Sequence, residues 1–273
     1  MSSVVLVTGT SSGIGRACVA RFQAAGWQVI ATVRRPEDAA ALRAEFRGIE
    51  VLEADLTDED SVTTVVGSAL QRRGRLDALV NNAGASIIGA AEELSLADYR
   101  AQLELNLLAA IGLTQLALPY MRAQGSGRIV QVSSGFGRIA LPMFAAYCAS
   151  KYALEGFSEA LAHEVAPAGI GVSLIEPGAV ATHFDRNRRE ASGYRADGPY
   201  RNLYRIMRAR LATTHGRGAS TADDVAATIF RAVSARRPAL RYTVGRMGLA
   251  ALLVARCVPD RLKQLAIARL LRG

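Results

Sequence analysis

Val4-Val5-Leu6-Val7-Thr8-Gly9-Thr10-Ser11-Ser12-Gly13-Ile14-Gly15 decides how the rest of this chain is read. Its first four residues are apolar and mostly β-branched, which reads as a short buried strand ending at Thr8-Gly9. Glycines after such a strand let the backbone turn sharply and let a pyrophosphate approach amide groups at a helix N-terminus. Gly9, Gly13 and Gly15 stand four and two apart, not in the G-x-G-x-x-G dinucleotide pattern, so the loop alone also suits a plain strand–helix turn. Arg16–Ala25 then follows a helical period, and Gly26 closes it as a left-handed C-terminal residue would.

Outward from this unit the alternation continues. Gln28–Val33, Glu50–Glu53, Leu76–Val80, Arg128–Val132 and Gly171–Ile175 read as strands. Between them lie helical segments from Pro36 to Phe46, from the acidic cluster Asp58-Glu59-Asp60 onward, from Ser95 to Gln124 and from Ala145 to Ala166. Strands separated by helices imply right-handed βαβ crossovers, and so a doubly wound parallel sheet of α/β class. In such a sheet the ligand lies beyond the carboxyl ends of the strands. Residues 183–220 show no clear period. Thr221–Ala235 reads as a capped helix, Leu240–Val244 as a last strand, and Met247–Leu271 as two amphipathic helices broken at Pro259. Nothing splits the chain, so residues 1–273 are expected to form one domain: a core over 1–182, a cover over 183–220, and a helical extension over 221–273.

Composition narrows the class. Half of the 273 residues are hydrophobic and 21% are charged, enough to build a core. Cys18, Cys148 and Cys257 are isolated from one another and from histidines, which argues against a disulfide scaffold or a metal site. The longest uncharged stretch, Leu105–Met121, has 17 residues, short of the about 20 that a membrane span needs. With no cleavable leader pattern at the start, a soluble cytoplasmic protein is expected. The net charge of +9 is uneven: residues 183–273 hold 19 Lys+Arg against 6 Asp+Glu, whereas residues 1–182 hold 14 against 18. Of the 33 basic residues only Lys151 and Lys263 are lysines.

The residues just past each strand carry the functional reading. Val33-Arg34-Arg35 ends the second strand, where a carboxylate would bond an adenosine 2′-hydroxyl and an arginine would take a 2′-phosphate; NADP(H) is therefore expected over NAD(H). Asp55-Leu56, Asn81-Asn82-Ala83-Gly84, Ser133-Ser134 and Pro177-Gly178 follow the others. Six polar or glycine-bearing strand ends together point to one ligand lying across them.

Tyr147 and Lys151 stand four apart in Tyr-Cys-Ala-Ser-Lys and share a helix face. A phenol titrates near about 10, and a neighbouring ammonium favours its ionised form. In a chain that otherwise uses arginine, a lysine here is pointed, because a compact ammonium can bond a ribose hydroxyl while holding charge near the phenol.

The ordered set Thr8-Gly-x-x-x-Gly13-x-Gly15, Asp55, Asn81-Asn82-Ala83-Gly84, Asn106, Ser134, Tyr147-x-x-x-Lys151 and Pro177-Gly178-x-x-x-Thr182 resembles the short-chain dehydrogenase/reductase family, one-domain type, over roughly residues 4–182. The resemblance implies a Rossmann-type sheet and hydride transfer with a nicotinamide cofactor. It makes Tyr147 the acid/base, Ser134 the group that bonds the substrate oxygen, and Lys151 the residue that lowers the phenol pKa and binds the ribose. Asn106 would link the lysine to a water relay. It further implies cofactor contacts from Gly9, Ser11, Ser12, Gly13, Ile14, Gly15, Arg34, Asp55, Leu56, Asn82, Ala83, Gly84, Tyr147, Lys151, Pro177, Gly178, Val180 and Thr182, and no metal.

Phe136, Ile139, Leu141, Met143 and Phe144 precede Tyr147 and would form an apolar wall; Phe184, Tyr194, Tyr200, Tyr204 and Met207 lie in the cover. Arg241-Tyr-Thr-Val-Gly245 and Val258-Pro-Asp-Arg-Leu262 are similar to the hydroxysteroid and retinol subgroup. A bulky apolar alcohol and its ketone or aldehyde is thus the expected substrate pair. A small aldehyde or ketone, or a non-catalytic cofactor-sensing member of the fold, stands as the alternative. The resemblance also implies a homodimer or homotetramer. The scattered arginines carry no nucleic-acid motif and leave peripheral contact with a membrane surface open.

Overall fold

The computed structural model describes residues 2–181, 188–214 and 219–270. β1 (Val4–Val7), α1 (Gly13–Ala24), β2 (Gln28–Val33), α2 (Pro36–Glu45), β3 (Glu50–Glu53) and α3 (Glu59–Arg73) alternate as the strand and helix patterns require. β4 (Ala78–Asn81) and the short β5 (Ser86–Ile88) lead into α4 (Leu96–Leu103) and α5 (Ala109–Gln124). β6 (Gly127–Val132), α6 (Ala145–Val165) and β7 (Ile170–Pro177) complete the core. Beyond them come β8 (Val180–Ala181), β9 (Arg188–Glu190), α7 (Arg201–Thr214), β10 (Ser220–Thr221), α8 (Ala222–Ser234), β11 (Arg241–Val244), α9 (Arg246–Cys257) and α10 (Asp260–Leu270).

Among the described residues seven strands form one sheet in the order β3-β2-β1-β4-β6-β7-β11, every pairing parallel. The chain runs outward from β1 to β3 and then returns to lay β4 on the other side of β1. Strand order therefore reverses between β1 and β4, and the crevice for a ligand opens there.

Strand periodicity builds the two faces of this sheet. Val5 and Val7 point into one core layer with Cys18, Phe22, Leu42, Val225 and Ile229, from α1, α2 and α8. Val4 and Leu6 point the opposite way, to Val65, Leu113, Met121 and Leu161 from α3, α5 and α6. This double burial is why β1 reads as an unbroken apolar run. Ser95 caps α4 through the backbone N–H of Asp98 at 3.1 Å, and the Asp98 carboxylate answers the Ser95 N–H at 3.1 Å.

Two expectations need correction. The helix read as continuous from Ser95 to Gln124 is interrupted by a π-helical turn over Glu104–Leu108, centred on Asn106. The segment 183–220, read as aperiodic, contains β9 and α7. By length and composition the run Leu96–Gln124 could cross a membrane. Its inner face is instead built into the protein core, with Gln102, Asn106 and Thr114 buried alongside Leu113 and Met121.

Phe22 is fully buried and meets the chain's one tryptophan, Trp27, edge-on at 5.2 Å, and Phe230 at 5.3 Å. Phe22→Ala is expected to lower stability by about 3–5 kcal/mol, read from urea unfolding followed by Trp27 fluorescence. A cost within about 1 kcal/mol would contradict this packing.

Candidate active site

At the crevice the loop after β1 and the loop after β4 touch. Gly9 has φ +67°, and a Cβ there would stand 2.8 Å from the Ala83 Cα. A Cβ on Gly15 would run into the Gly9 carbonyl and stand 2.7 Å from Asn82 Nδ2. The Asn82 side chain donates to the Thr8 and Gly9 carbonyls at 2.9 and 3.1 Å, and the Thr8 hydroxyl accepts from the Asn82 and Ala83 N–H groups at 2.9 and 3.0 Å. Ser12 stands at the N-cap of α1 but makes no side-chain capping bond, so it leaves the first-turn amides free of a side-chain acceptor. Ser11 and Gly13 flank it in the same turn, and Ile14 packs inward on the core. A glycine-bearing backbone cradle at a helix N-terminus fits the pyrophosphate of a dinucleotide.

The remaining predicted contacts fall along the same edge. Arg35 is engaged by Asp38 at 2.9 Å and Glu37 at 3.3 Å, whereas exposed Arg34 makes no ion pair or hydrogen bond among the described residues. Asp55 accepts from the Thr57 N–H and hydroxyl at 3.0 and 2.7 Å; these bonds hold its carboxyl below the ordinary value, with a smaller pull from the Arg34 charge. Leu56 is buried in the core. Pro177 ends β7, the Gly178 N–H donates to the Val244 carbonyl at 3.0 Å, and Val180 begins β8. Thr182 and Phe184 lie outside the described residues.

The Ser134, Tyr147 and Lys151 side chains come from two elements. Ser134 caps the single turn Gly135–Gly137 after β6, accepting the Phe136 N–H at 3.1 Å, and is hydrogen-bonded to the Tyr147 phenol. Tyr147 is 8% exposed and Lys151 5% exposed, one turn apart on α6. Lys151 Nζ donates to the Val132 carbonyl at 2.8 Å and lies 5.8 Å from the Tyr147 ring centre. Burial governs both groups. It pushes the phenol up to about 12, with the Ser134 hydrogen bond pulling it back. It pushes the ammonium down to about 8, with the Glu155 charge opposing. The phenol is thus a held proton donor at neutral pH.

Asn106 sits in the π turn. Its Oδ1 accepts the Ala85 N–H at 3.0 Å, and its Nδ2 donates to the Ala85 carbonyl at 3.0 Å and to Ser150 Oγ at 3.1 Å. Ser150 in turn donates to the Tyr147 carbonyl at 2.7 Å. The π turn therefore ties α5, the β4–β5 loop and α6 together. Next to it, Gly84 leaves room for Asn106 Oδ1, which would stand 3.2 Å from a Cβ.

An apolar cluster covers Tyr147. Phe136 and Phe144 meet its ring edge-on at 6.1 and 6.5 Å, and Ile88, Met143, Tyr204 and Met207 close the cluster. Met143 holds φ +72°, a strained setting for a side chain with a Cβ, and its carbonyl accepts the Gly89 N–H at 2.9 Å. Three carboxylates of the body fasten the cover. Tyr200 donates to Glu92 at 2.5 Å, Tyr204 donates to Glu93 at 2.7 Å, and Asp98 accepts from the Ser192 N–H and hydroxyl at 3.1 and 2.6 Å. Burial works against the Asp98 carboxylate, but the Ser192 and Ser95 hydrogen bonds hold it down to about 2.

Sequence reading missed these fasteners. Asp98 stands three residues after Ser95, the place of a capping partner, and Glu92 and Glu93 lie in no pattern that names a partner. Ser150, inside Tyr-Cys-Ala-Ser-Lys, carried a positional hint that went unused.

Comparisons with known proteins agree with this geometry. The short chain dehydrogenase family model matches residues 3–193. The 3-ketodihydrosphingosine reductase of Bacteroides thetaiotaomicron is 33% identical over 272 residues, covering 97% of this chain and 96% of that protein. Estradiol 17-beta-dehydrogenase 1 of Rattus norvegicus is 37% identical over 257 residues, covering 88% and 73%. Among solved structures, a short-chain dehydrogenase from Streptomyces avermitilis superposes with TM-score 0.86 at 35% identity, covering 100% of this chain and 98% of that one. A Burkholderia phymatum relative in complex with NAD gives TM-score 0.81 at 25% identity, covering 97% and 95%. A metagenomic short-chain oxidoreductase in complex with NADP gives 0.71 at 28%, covering 89% and 97%. With its parallel seven-stranded sheet, its glycine-bearing loop after β1 and the family match over residues 3–193, the chain belongs to the short-chain dehydrogenase/reductase family of oxidoreductases.

Proposed function

We propose that the protein interconverts a bulky apolar alcohol and its ketone or aldehyde with NADP(H), using Tyr147 as the acid/base. The observation that carries this reading is the placement of Tyr147: its phenol bonds Ser134, and its ring is walled by Phe136, Phe144, Met143, Tyr204 and Met207. A phenol buried among apolar side chains serves a substrate whose one polar atom is the reacting oxygen. Similarity to a 3-ketodihydrosphingosine reductase and an estradiol 17-beta-dehydrogenase supports the same class.

In the reducing direction Tyr147 gives its proton to the substrate oxygen, while Ser134 donates a hydrogen bond to that oxygen as charge develops on it. Lys151 holds positive charge behind the phenol and presents its remaining N–H donors toward a ribose. The cradle from Gly9 to Gly15, with Asn82 and Ala83, would hold the dinucleotide, and Arg34 would face its 2′-phosphate. The chemistry a bound NADP(H) would supply is the gain or loss of a hydride. The cover keeps water from the reacting atoms. Exposed Leu108 at the end of the π turn, Tyr120 on α5 and Tyr152 on α6 suit a homodimer joined through the long helices.

Tyr147→Phe is expected to lower kcat by about 10²–10⁴-fold with cofactor affinity unchanged, measured by NADPH oxidation against a panel of steroid, retinoid, polyketide and long-chain carbonyls. Turnover within a few-fold of the parent would refute the assigned acid/base. Arg34→Asp should cut the NADP/NAD preference by roughly 10- to 100-fold, and an unmoved ratio would remove Arg34 from the phosphate site. Gly15→Ala should abolish cofactor binding in a fluorescence titration while leaving the fold intact by circular dichroism.

A further inference from the structure

One turn beyond Lys151 on α6 stands Glu155, a carboxylate only 4% exposed that the reaction as described does not use. Tyr147, Lys151 and Glu155 are four apart and follow one another down one face of the helix. Arg241 on β11 donates from Nε to Glu155 Oε2 at 3.0 Å and from Nη2 to Glu159 at 2.8 Å. Arg138, just past the Ser134 turn, lies 3.7 Å from the same Glu155 oxygen. A second buried carboxylate, Glu176 on β7, is 1% exposed; it lies 3.5 Å from Arg241 and 3.9 Å from Arg138, and accepts from Thr243 at 3.0 Å. A cavity of about 260 Å³ borders the group, and Arg256 of α9 joins its lining.

Stability alone does not account for this arrangement. Buried ion pairs can often be exchanged for apolar residues at little or no cost, because desolvation offsets their attraction. The group is also coupled to the site by contact. A Cβ on Gly137 would stand 2.9 Å from Ser133 Oγ and 3.0 Å from Glu155 Cγ, so the turn that carries Ser134 rests directly on Glu155.

We propose that Glu155, clamped by Arg241, is a positioning residue for the catalytic pair: its buried carboxylate keeps the Lys151 ammonium charged and seated on the Val132 carbonyl behind Tyr147. This rests on the acid/base reading of Tyr147 given above. Burial draws Lys151 down to about 8, and Glu155 is the charge that opposes it. Glu155 is itself pushed up by burial and by Glu176, and pulled back by Ser133 and Arg241. The charged and titratable groups around Glu155 are Lys151, Tyr152 and Glu159 on α6, Arg138 on the turn after β6, Glu176 on β7, Arg241 on β11 and Arg256 on α9, with the Ser133 hydroxyl beside them. If Glu155 loses its charge, Lys151 gives up its proton at lower pH, and the phenolate of Tyr147 loses support over the range where oxidation needs it.

The scarcity of lysine makes the test direct. Lys151 and Lys263 are the only lysines, so ¹³C-lysine labelling yields two titrating NMR signals, with Lys263 as reference. In the cofactor-free protein the Lys151 midpoint is expected near about 8. Glu155→Gln should lower it by about one pH unit or more and leave Lys263 in place, while Glu155→Asp keeps it close to the parent value. In parallel, the rise of alcohol oxidation with pH should move to higher pH in Glu155→Gln. An unmoved Lys151 midpoint in Glu155→Gln overturns the proposal, whatever the change in thermal stability. Should that variant not fold, the paired change Glu155→Gln with Arg241→Gln removes both charges together and is read the same way. Failure of the catalytic reading would show separately, as turnover that survives Tyr147→Phe.

Discussion

The site depends first on a steric constraint: where β1 and β4 end, the two loops come so close at Gly9 and Gly15 that no Cβ fits there. Gly9 lies against Ala83, and Gly15 lies against Gly9 and Asn82, at distances that a Cβ would violate. The parallel sheet forces this meeting, because strand order reverses between these two strands. Thr8 and Asn82 then fix the approach with four hydrogen bonds between the loops. What results is a floor of peptide groups at the start of α1, polar yet flat, on which a phosphate chain can lie.

A second level concerns charge taken out of water. Lys151, Glu155 and Glu176 are all nearly inaccessible, and each would be costly alone. Their positions show how the cost is met. The carboxylates share Arg241 and Arg138, and the lysine leans on a strand-end carbonyl. The phenol of Tyr147 is thus enclosed by apolar side chains, and the charges behind it come from α6, the turn after β6, β7 and β11. The Asn106 π turn gives mechanical support, since it joins α5 to α6 through Ser150.

The sheet and the strand-end residues were legible because each lies where a regular pattern stops. β1 shows four apolar residues and then glycine; α6 shows Tyr147 and Lys151 one turn apart. The π turn was not legible, because a 3.6 period carries no mark of one extra residue; the contacts of Asn106 with Ala85 and Ser150, distant in sequence, are what it accommodates. The cover helix was missed for another reason. Tyr200, Leu203, Tyr204 and Met207 do follow helical spacing, but Arg201, Arg205, Arg208 and Arg210 dilute the period, and arginine stems can line an apolar surface. The roles of Glu92, Glu93 and Asp98 depend on partners about a hundred residues away and leave no local pattern.

The uneven charge of the chain gains a physical consequence from those fasteners. The cover is rich in arginine, and the rim it closes on presents Glu92, Glu93 and Asp98; Arg189 reaches Asp98 at 3.4 Å, and Arg208 pairs with Glu190 while stacking on Tyr194 and Tyr204. Most of these groups face solvent, where mobile ions reach them and each pair is worth only about 0–1 kcal/mol. Among the described residues the Arg189–Asp98 ion pair joins these segments to the body, so dissolved salt thins that contact, whereas the hydrogen bonds of Tyr200 to Glu92 and Tyr204 to Glu93 depend on it far less. Arg189, Arg195, Arg201, Arg205 and Arg208 are exposed, so the positive charge of these segments sits mainly in solvent, where ions screen it, and little of it is used to hold them to the body.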